Sequence, residues 1–249
     1  MSRVVIWSLV AVVIAVQIPY PLVHGSARNS LTVVTVVVFA AASLAHAWWS
    51  VGMRYAGALV GVGLVGFAAE VLGVHTGVPF GDYRYTGGLG PALASVPVVI
   101  ALAWMMMAHP AATVARRLTR PRPGRLGVGR ILVAAIALAS WDVFLDPQMV
   151  HAHHWRWLRP SPHLPGIDDV PLSNFVGWLL VALLVVALLA ATLPATGGDG
   201  DAPMLVLWVW TWLSSTLANL AFFGRPAVAA WGFAAMGVVG VPLLRSLRR

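Results

Sequence analysis

The sequence predicts an all-α fold: a polytopic bundle of about eight transmembrane helices, forming a single integral membrane domain over residues 1–249. Three observations predict it. The 249 residues are 59% hydrophobic, with a mean hydropathy of +0.84. Only 10% are charged, against about 25% in a soluble domain. Apolar runs close to the roughly 20 residues that cross a bilayer recur from one end of the chain to the other.

The runs are expected near Val4–Val23, Leu31–Trp49, Ala56–Val74, Pro91–His109, Val128–Asp146, Leu172–Thr192, Met204–Phe222 and Ala227–Leu244. The first follows a short basic start. It is long for a signal-peptide core and lacks an A-x-A-like exit, so it reads as a retained helix. The third carries Glu70, the single glutamate, about one turn before its end. The fifth ends in "WDVFLDP", where Pro147 discourages helical geometry at Asp146 and so closes the helix there. The sixth opens with Asn174, and Trp178 lies four residues deeper on the same face. The seventh holds Asn219 near its end.

Arginine orients these helices. No lysine is present, so the formal charge of +8 is arginine's alone. In a membrane protein such an excess speaks of topology and not of nucleic acid. The fourth link, "ARRLTRPRPGRLGVGR", and the tail, "RSLRR", are the richest segments. Eight spans with a cytoplasmic N-terminus put both inside, together with Arg3 and Arg54. Arg28, Arg84, Arg156, Arg159 and Arg225 fall outside. Seven spans would place the two basic segments on opposite sides. The chain is expected in the plasma membrane of a prokaryote. The links 75–91 and 147–171, dense in Gly, Pro, Trp, Tyr, His and Asp, then both lie on the extracytoplasmic side and are placed to meet over one mouth of the bundle.

Glu70, Asp142, Asp146, Asn174 and Asn219 thus converge from four helices at one depth. An ionisable residue inside a span costs on the order of 2.5–3.5 kcal/mol on insertion scales, and several at one level mark a site. Asp142 and Asp146 are four apart, so they share a helix face with Cβ atoms about 5–6 Å apart. The expected helix end at Asp146 puts the negative pole of the helix dipole beside them. Such a pair is suited to supply one carboxylic acid and one carboxylate. The alternative is that the two aspartates cap a helix end or pair with Arg84 or Arg156.

In the first loop, "HTGVPFGDYRYTGGLGP", Asp82, Tyr83 and Tyr85 are the polar candidates among glycines that permit close approach to a ligand. The loop follows no strand and lacks a Lys–Ser/Thr pair, so it is no phosphate cradle. "HAHH" (His151, His153, His154) offers imidazoles. Neighbouring histidines in a loop do not converge on one ion without tight turns, and His46 and His109 are expected at the opposite, inner helix ends, so no metal site is expected. With no cysteine, disulfides and thiolate metal centres are excluded. Trp7, Trp48, Trp49, Trp155, Trp157 and Trp231 read as an interfacial belt. Trp104, Trp141, Trp178, Trp208, Trp210 and Trp212 fall inside spans, as packing residues or as walls of a π-lined cavity.

In combination and in this order, "EVLGVHTGVPFGDYRYTGGLGP", "WDVFLDPQM", "WRW" and "VPLSNFVGW" resemble the membrane-embedded carotenoid biosynthesis family, which includes carotenoid 1,2-hydratases and bisanhydrobacterioruberin hydratases. The likeness runs from about Glu70 to Trp178. It implies hydration of the terminal double bond of an acyclic carotenoid to a tertiary alcohol, with no cofactor. That chemistry needs a carboxylic acid, a base that holds water and walls that tolerate a cation; Asp142 and Asp146 are the expected acid–base pair, with Glu70 or Asp82 next. Asn174 would orient water, and Tyr83, Tyr85, Trp104, Trp141 and Trp178 would face the substrate and its cation. The partners implied are the lipid bilayer, a carotenoid substrate and other carotenoid enzymes. The competing readings are a carotenoid cyclase or isomerase using the same acids, and a non-enzymatic lipid or carotenoid carrier.

Overall fold

The computed structural model describes residues 3–119, 127–192 and 199–248. Eight helices among them are long and apolar enough to cross a membrane. They are α1 (Arg3–Gln17), α2 (Gly25–Ser50), α3 (Met53–Thr76), α4 (Val99–Leu118), α5 (Val128–His151), α6 (Leu172–Ala190), α7 (Ala202–Ala221) and α8 (Pro226–Leu247). A 3₁₀ turn at Tyr20–Leu22 extends α1 to span length. The all-α transmembrane bundle is therefore the architecture found.

Helix α4 is the centre. It packs against α2, α3, α5 and α7 and is the most buried of the eight. It is also the least hydropathic, whereas α6, whose Leu180 and Leu184 are exposed, is the most. In a bilayer the lipid-facing side must be apolar, while the protein interior accepts polar groups that find partners.

Helix α2 starts six residues before its expected bound, and the departures that bear on the site are in α4 and α5. Helix α4 starts at Val99, eight residues later than expected. Residues 92–97 instead fold into a hairpin, β2 (Ala92–Leu93) against β3 (Val96–Pro97), turning through Ala94 and Ser95 at positive φ. Pro97 has no N–H to give a helix. The helix then runs through Pro110 to Leu118, so His109 sits mid-helix and not at its end. Helix α5 runs through Pro147 to His151. The helix end, and with it the dipole's negative pole, lies more than a turn beyond Asp146. The proline carbonyl there accepts a hydrogen bond from Arg225 Nη1.

One end of the bundle carries a polar cluster. His46 Nδ1 and His109 Nε2 are 2.8 Å apart, and the other His109 nitrogen lies 3.0 Å from the Tyr55 hydroxyl. Buried Arg116 pairs with Asp201 beside them. Arg3, Arg54, Arg116, Arg117, Arg130, Arg245 and Arg248 all belong to this end by their place at helix termini. Arg28, Arg84, Arg156, Arg159 and Arg225 belong to the other. Arg120, Arg122, Arg125 and Arg249 lie outside the described residues.

At that other end the two long links are joined. Strand β1 (Tyr83–Tyr85) pairs antiparallel with β4 (Trp155–Trp157), in the register Tyr83 with Trp157, Arg84 with Arg156 and Tyr85 with Trp155. A further hairpin, β5 (His163–Leu164) and β6 (Ile167–Pro171), lies alongside and leads into α6.

Candidate active site

Strand alternation decides what the β1–β4 ladder does. Successive side chains point to opposite faces. Tyr83, Tyr85, Trp155 and Trp157 turn towards the bundle, while Arg84 and Arg156 are exposed on the outer face. Tyr83 stacks on Trp157 at 5.6 Å between centroids, and Tyr85 meets Trp155 edge-on at 5.5 Å. Trp157 donates its indole N–H to the Phe80 carbonyl at 2.9 Å. Trp155 and Trp157 are thus buried and not members of an interfacial belt. The period-2 patterns Y-R-Y and W-R-W signal this lid, although each is only three residues long.

Beneath the lid three carboxyls gather. Glu70, Asp142 and Asp146 are all buried. Glu70 Oε2 accepts the hydroxyls of Tyr83 at 2.6 Å and Tyr85 at 2.9 Å. Asp146 Oδ1 accepts the Trp155 indole N–H at 3.0 Å. Asn174 Nδ2 bridges the two aspartates. It donates to Asp142 Oδ2 at 2.8 Å and to Asp146 Oδ2. Arg84 and Arg156 point away, so these acids are not held as ion pairs with them. Burial, and then the Glu70 carboxyl, push the Tyr83 and Tyr85 phenols well above their ordinary range, which keeps both as hydrogen-bond donors.

Close packing brings these groups together. A Cβ on Gly66 would stand 2.3 Å from Trp104 Cγ, so the missing side chain makes room for the indole. Gly73 does the same for Phe80 and Tyr83, where a Cβ would come within 2.7 Å of the former. Trp104 then stacks on Trp178, with centroids 4.2 Å apart and planes at 15°, and Trp141 stands edge-on to Trp178 at 6.0 Å.

A cavity of about 420 Å³ opens against this cluster. That is within the range of small-molecule sites, roughly 300–1,000 Å³. Glu70, Tyr83, Tyr85, Trp104, Trp141, Asp146, Asn174 and Trp178 line it. Asp142 does not. It stands behind Asp146 and Asn174. Asp82 stays outside as well, in an exposed ion pair with Arg159 at 3.0 Å. Asn219 is buried but turned back to the Ser215 carbonyl, and its helix contributes Ser214 and Ser215 to the wall in its place. Sequence reasoning missed Trp155, Phe80 and Gln148, which also line the cavity.

The "HAHH" imidazoles do not converge. His151 ends α5 exposed, and His153 sits in the turn at positive φ. Buried His154 approaches the Gly87 carbonyl through Nδ1 at 3.3 Å. Among the described residues no group of three or more His, Cys, Asp or Glu side chains is arranged to hold a metal ion.

Chemically, the cavity sets titratable carboxyls, with neutral donors fixed on them, beside aromatic faces and a mostly apolar wall. Such an arrangement can move a proton onto or off an apolar ligand and stabilise a transient cation. A family model described as carotenoid biosynthesis protein matches residues 31–244 of the chain. A bisanhydrobacterioruberin hydratase from Haloarcula japonica is 31% identical over 132 residues. That match covers 53% of this chain and 43% of the relative, so the chain spans less than half of that relative's length. No solved structure matches.

Proposed function

The chain belongs to the carotenoid biosynthesis protein family, and from that premise we propose that it hydrates the terminal C=C bond of an acyclic carotenoid to a tertiary alcohol. The observation that carries this reading is the meeting of Glu70 and Asp146 at one end of an aromatic, predominantly apolar cavity. Both acids lie within the residues that the family model matches. The relative named as a hydratase supports water as the co-substrate.

In this reading the Asp142–Asp146 pair holds one proton, and Asp146 delivers it to the less substituted carbon of the terminal double bond. The π electrons form the new C–H bond and leave a tertiary cation on the neighbouring carbon. Trp155 and Asn174 stabilise the carboxylate left on Asp146. The stacked Trp104 and Trp178, with Trp141, face the cation, an interaction worth about 0.5–2 kcal/mol. Glu70, held by Tyr83 and Tyr85, orients a water and accepts its proton as the oxygen bonds to the cation. Return of that proton from Glu70 to Asp146, through the water that refills the site, restores the starting state, so the sum is one water added across one double bond, with no change of redox state. Asp142 acts through Asp146 as a positioning residue.

We place the enzyme in the plasma membrane of a prokaryote, with the lid on the extracytoplasmic side. The test is expression in a lycopene-accumulating host, with mass analysis of the pigments. A gain of one water per reacted end is expected. New pigments of unchanged mass would mean cyclisation or isomerisation. Unchanged pigment that co-purifies with the protein would mean a carrier.

A further inference from the structure

The cavity has a second rim unlike the first. It is formed by Ile18 and Leu22 after α1 and by Leu217 and Phe222 at the end of α7, all of which line the cavity. Yet Ile18 is 58% exposed, Leu22 63%, Leu217 59% and Phe222 52%. Residues that both line a cavity and face outward mark its opening. At the carboxyl end Glu70, Tyr83, Asp146, Asn174 and Trp178 are buried and Tyr85 and Gln148 half-buried, so no described lining residue there faces outward as these four do. Helices α1 and α7 both have membrane-spanning length and all four outward residues of this rim are apolar, which suits a rim that meets lipid. Trp210 donates to Gln17 Oε1 at 2.7 Å and ties the two helices together beside the opening.

Size fixes what such an opening is for. The cavity has the volume of a drug-sized ligand, while an acyclic carotenoid is about as long as the hydrocarbon core is thick. The cavity therefore encloses an end segment only. We propose that the space between the end of α1 and the end of α7 is a lateral portal. Through it one end of a long apolar polyene slides from the bilayer to Glu70 and Asp146, while the rest of the chain stays in lipid. The proposal rests on the carotenoid reading. It adds that a two-ended substrate must withdraw and turn round between reactions, so a product modified at one end is released as a free intermediate.

The absence of cysteine makes the test direct. Leu217→Cys is labelled in detergent with a bulky maleimide. Val238→Cys, exposed on α8 and remote from the cavity lining, is the control. Two readouts are taken: uptake of a long acyclic carotenoid, from the visible absorption of co-purifying pigment, and conversion of a short acyclic terpene with the same end group. The label at Leu217 is expected to abolish carotenoid uptake and to spare the short substrate. The label at Val238 is expected to leave both unchanged. Unchanged uptake with the Leu217 label overturns the portal, and so does equal loss of the short substrate, which would mean that the site has collapsed. Pigment uptake is read without turnover. A protein that takes up carotenoid through this opening and hydrates nothing would refute the hydratase reading and leave the portal standing.

Discussion

The indole N–H of Trp155 reaches the Asp146 carboxyl at 3.0 Å, from a strand that is itself held to the loop carrying Tyr83 and Tyr85. Hydrogen bonds to charged groups are worth about 1.5–3 kcal/mol. Trp155→Phe keeps the ring and removes the donor, so conversion should slow by about one to two orders of magnitude. Asp146→Asn and Glu70→Gln should each cost about 10²–10⁴-fold, and Asp142→Asn less, with all four proteins still inserted. Initial rates in matched membranes decide this. An Asp142 variant worse than the Asp146 variant would reverse their roles.

Gly66 leaves the space that Trp104 fills. Gly66→Ala should displace the indole from its stack on Trp178 and destabilise the fold by about 1–3 kcal/mol. Adding Trp104→Phe should recover stability without restoring full activity, because the stacked wall is still lost. Thermal denaturation in detergent, beside the rate, separates the two. A Gly66→Ala protein with unchanged stability and rate would show that the close approach is not needed.

The phenols of the lid give a pH signature. Their values are raised in the folded protein, so the protonated form is favoured there. That contribution to stability is fully present below about pH 10, the ordinary phenol value, and is lost as pH climbs through the raised folded values. Wild-type protein and the Tyr83→Phe/Tyr85→Phe double variant should show the same phenolate absorbance in the native state near pH 10–11. They should differ by two phenols only after unfolding. Two extra phenolates in the native wild type at that pH would disprove it.

The oxygen should come from water. The chain has no cysteine for a haem thiolate, no flavin fingerprint and too few histidine clusters for a di-iron centre. Activity is expected without oxygen gas, NAD(P)H or added metal. Product made in heavy-oxygen water should carry the label at the tertiary alcohol, and product made in deuterated water one deuterium on the adjacent carbon. Label from oxygen gas, or inhibition by a chelator, would falsify hydration.

Reporters placed after Gly88 and after Pro162 should report the extracytoplasmic side, and one after Arg248 the cytoplasmic side. The arginines of the two bundle ends motivate this. A cytoplasmic signal from either loop would invert the orientation.

Much of this was legible from the chain. Glu70, Asp142, Asp146 and Asn174 stood out because polar groups inside apolar runs need a reason, and spacing put them at one level. The limits of α4 and α5 were not legible. The expected fourth helix runs through Pro97 and the expected fifth stops at Pro147, and packing reverses both: α4 starts after the first while α5 absorbs the second. Asp82 ranks beside Glu70 in the sequence, since a loop sequence does not say which of its side chains face inward. Trp155 and Trp157 were hidden for the same reason. Three residues of alternation become meaningful only once a partner strand, some seventy residues away, supplies the other half.

The hydrogen bonds on the carboxyls also impose an order of biogenesis. Glu70 finds its two phenol donors 13 and 15 residues further along the chain, and Asp146 finds Trp155 after 9 and Asn174 after 28. A nascent chain thus delivers each acid to the insertion machinery shortly ahead of the groups that shield it. Neither acid must wait for a distant helix before it can settle among apolar neighbours. The Tyr83–Trp157 ladder is different. It cannot form until the second loop has been made, so the lid closes over Glu70 only after α4 and α5 have followed it.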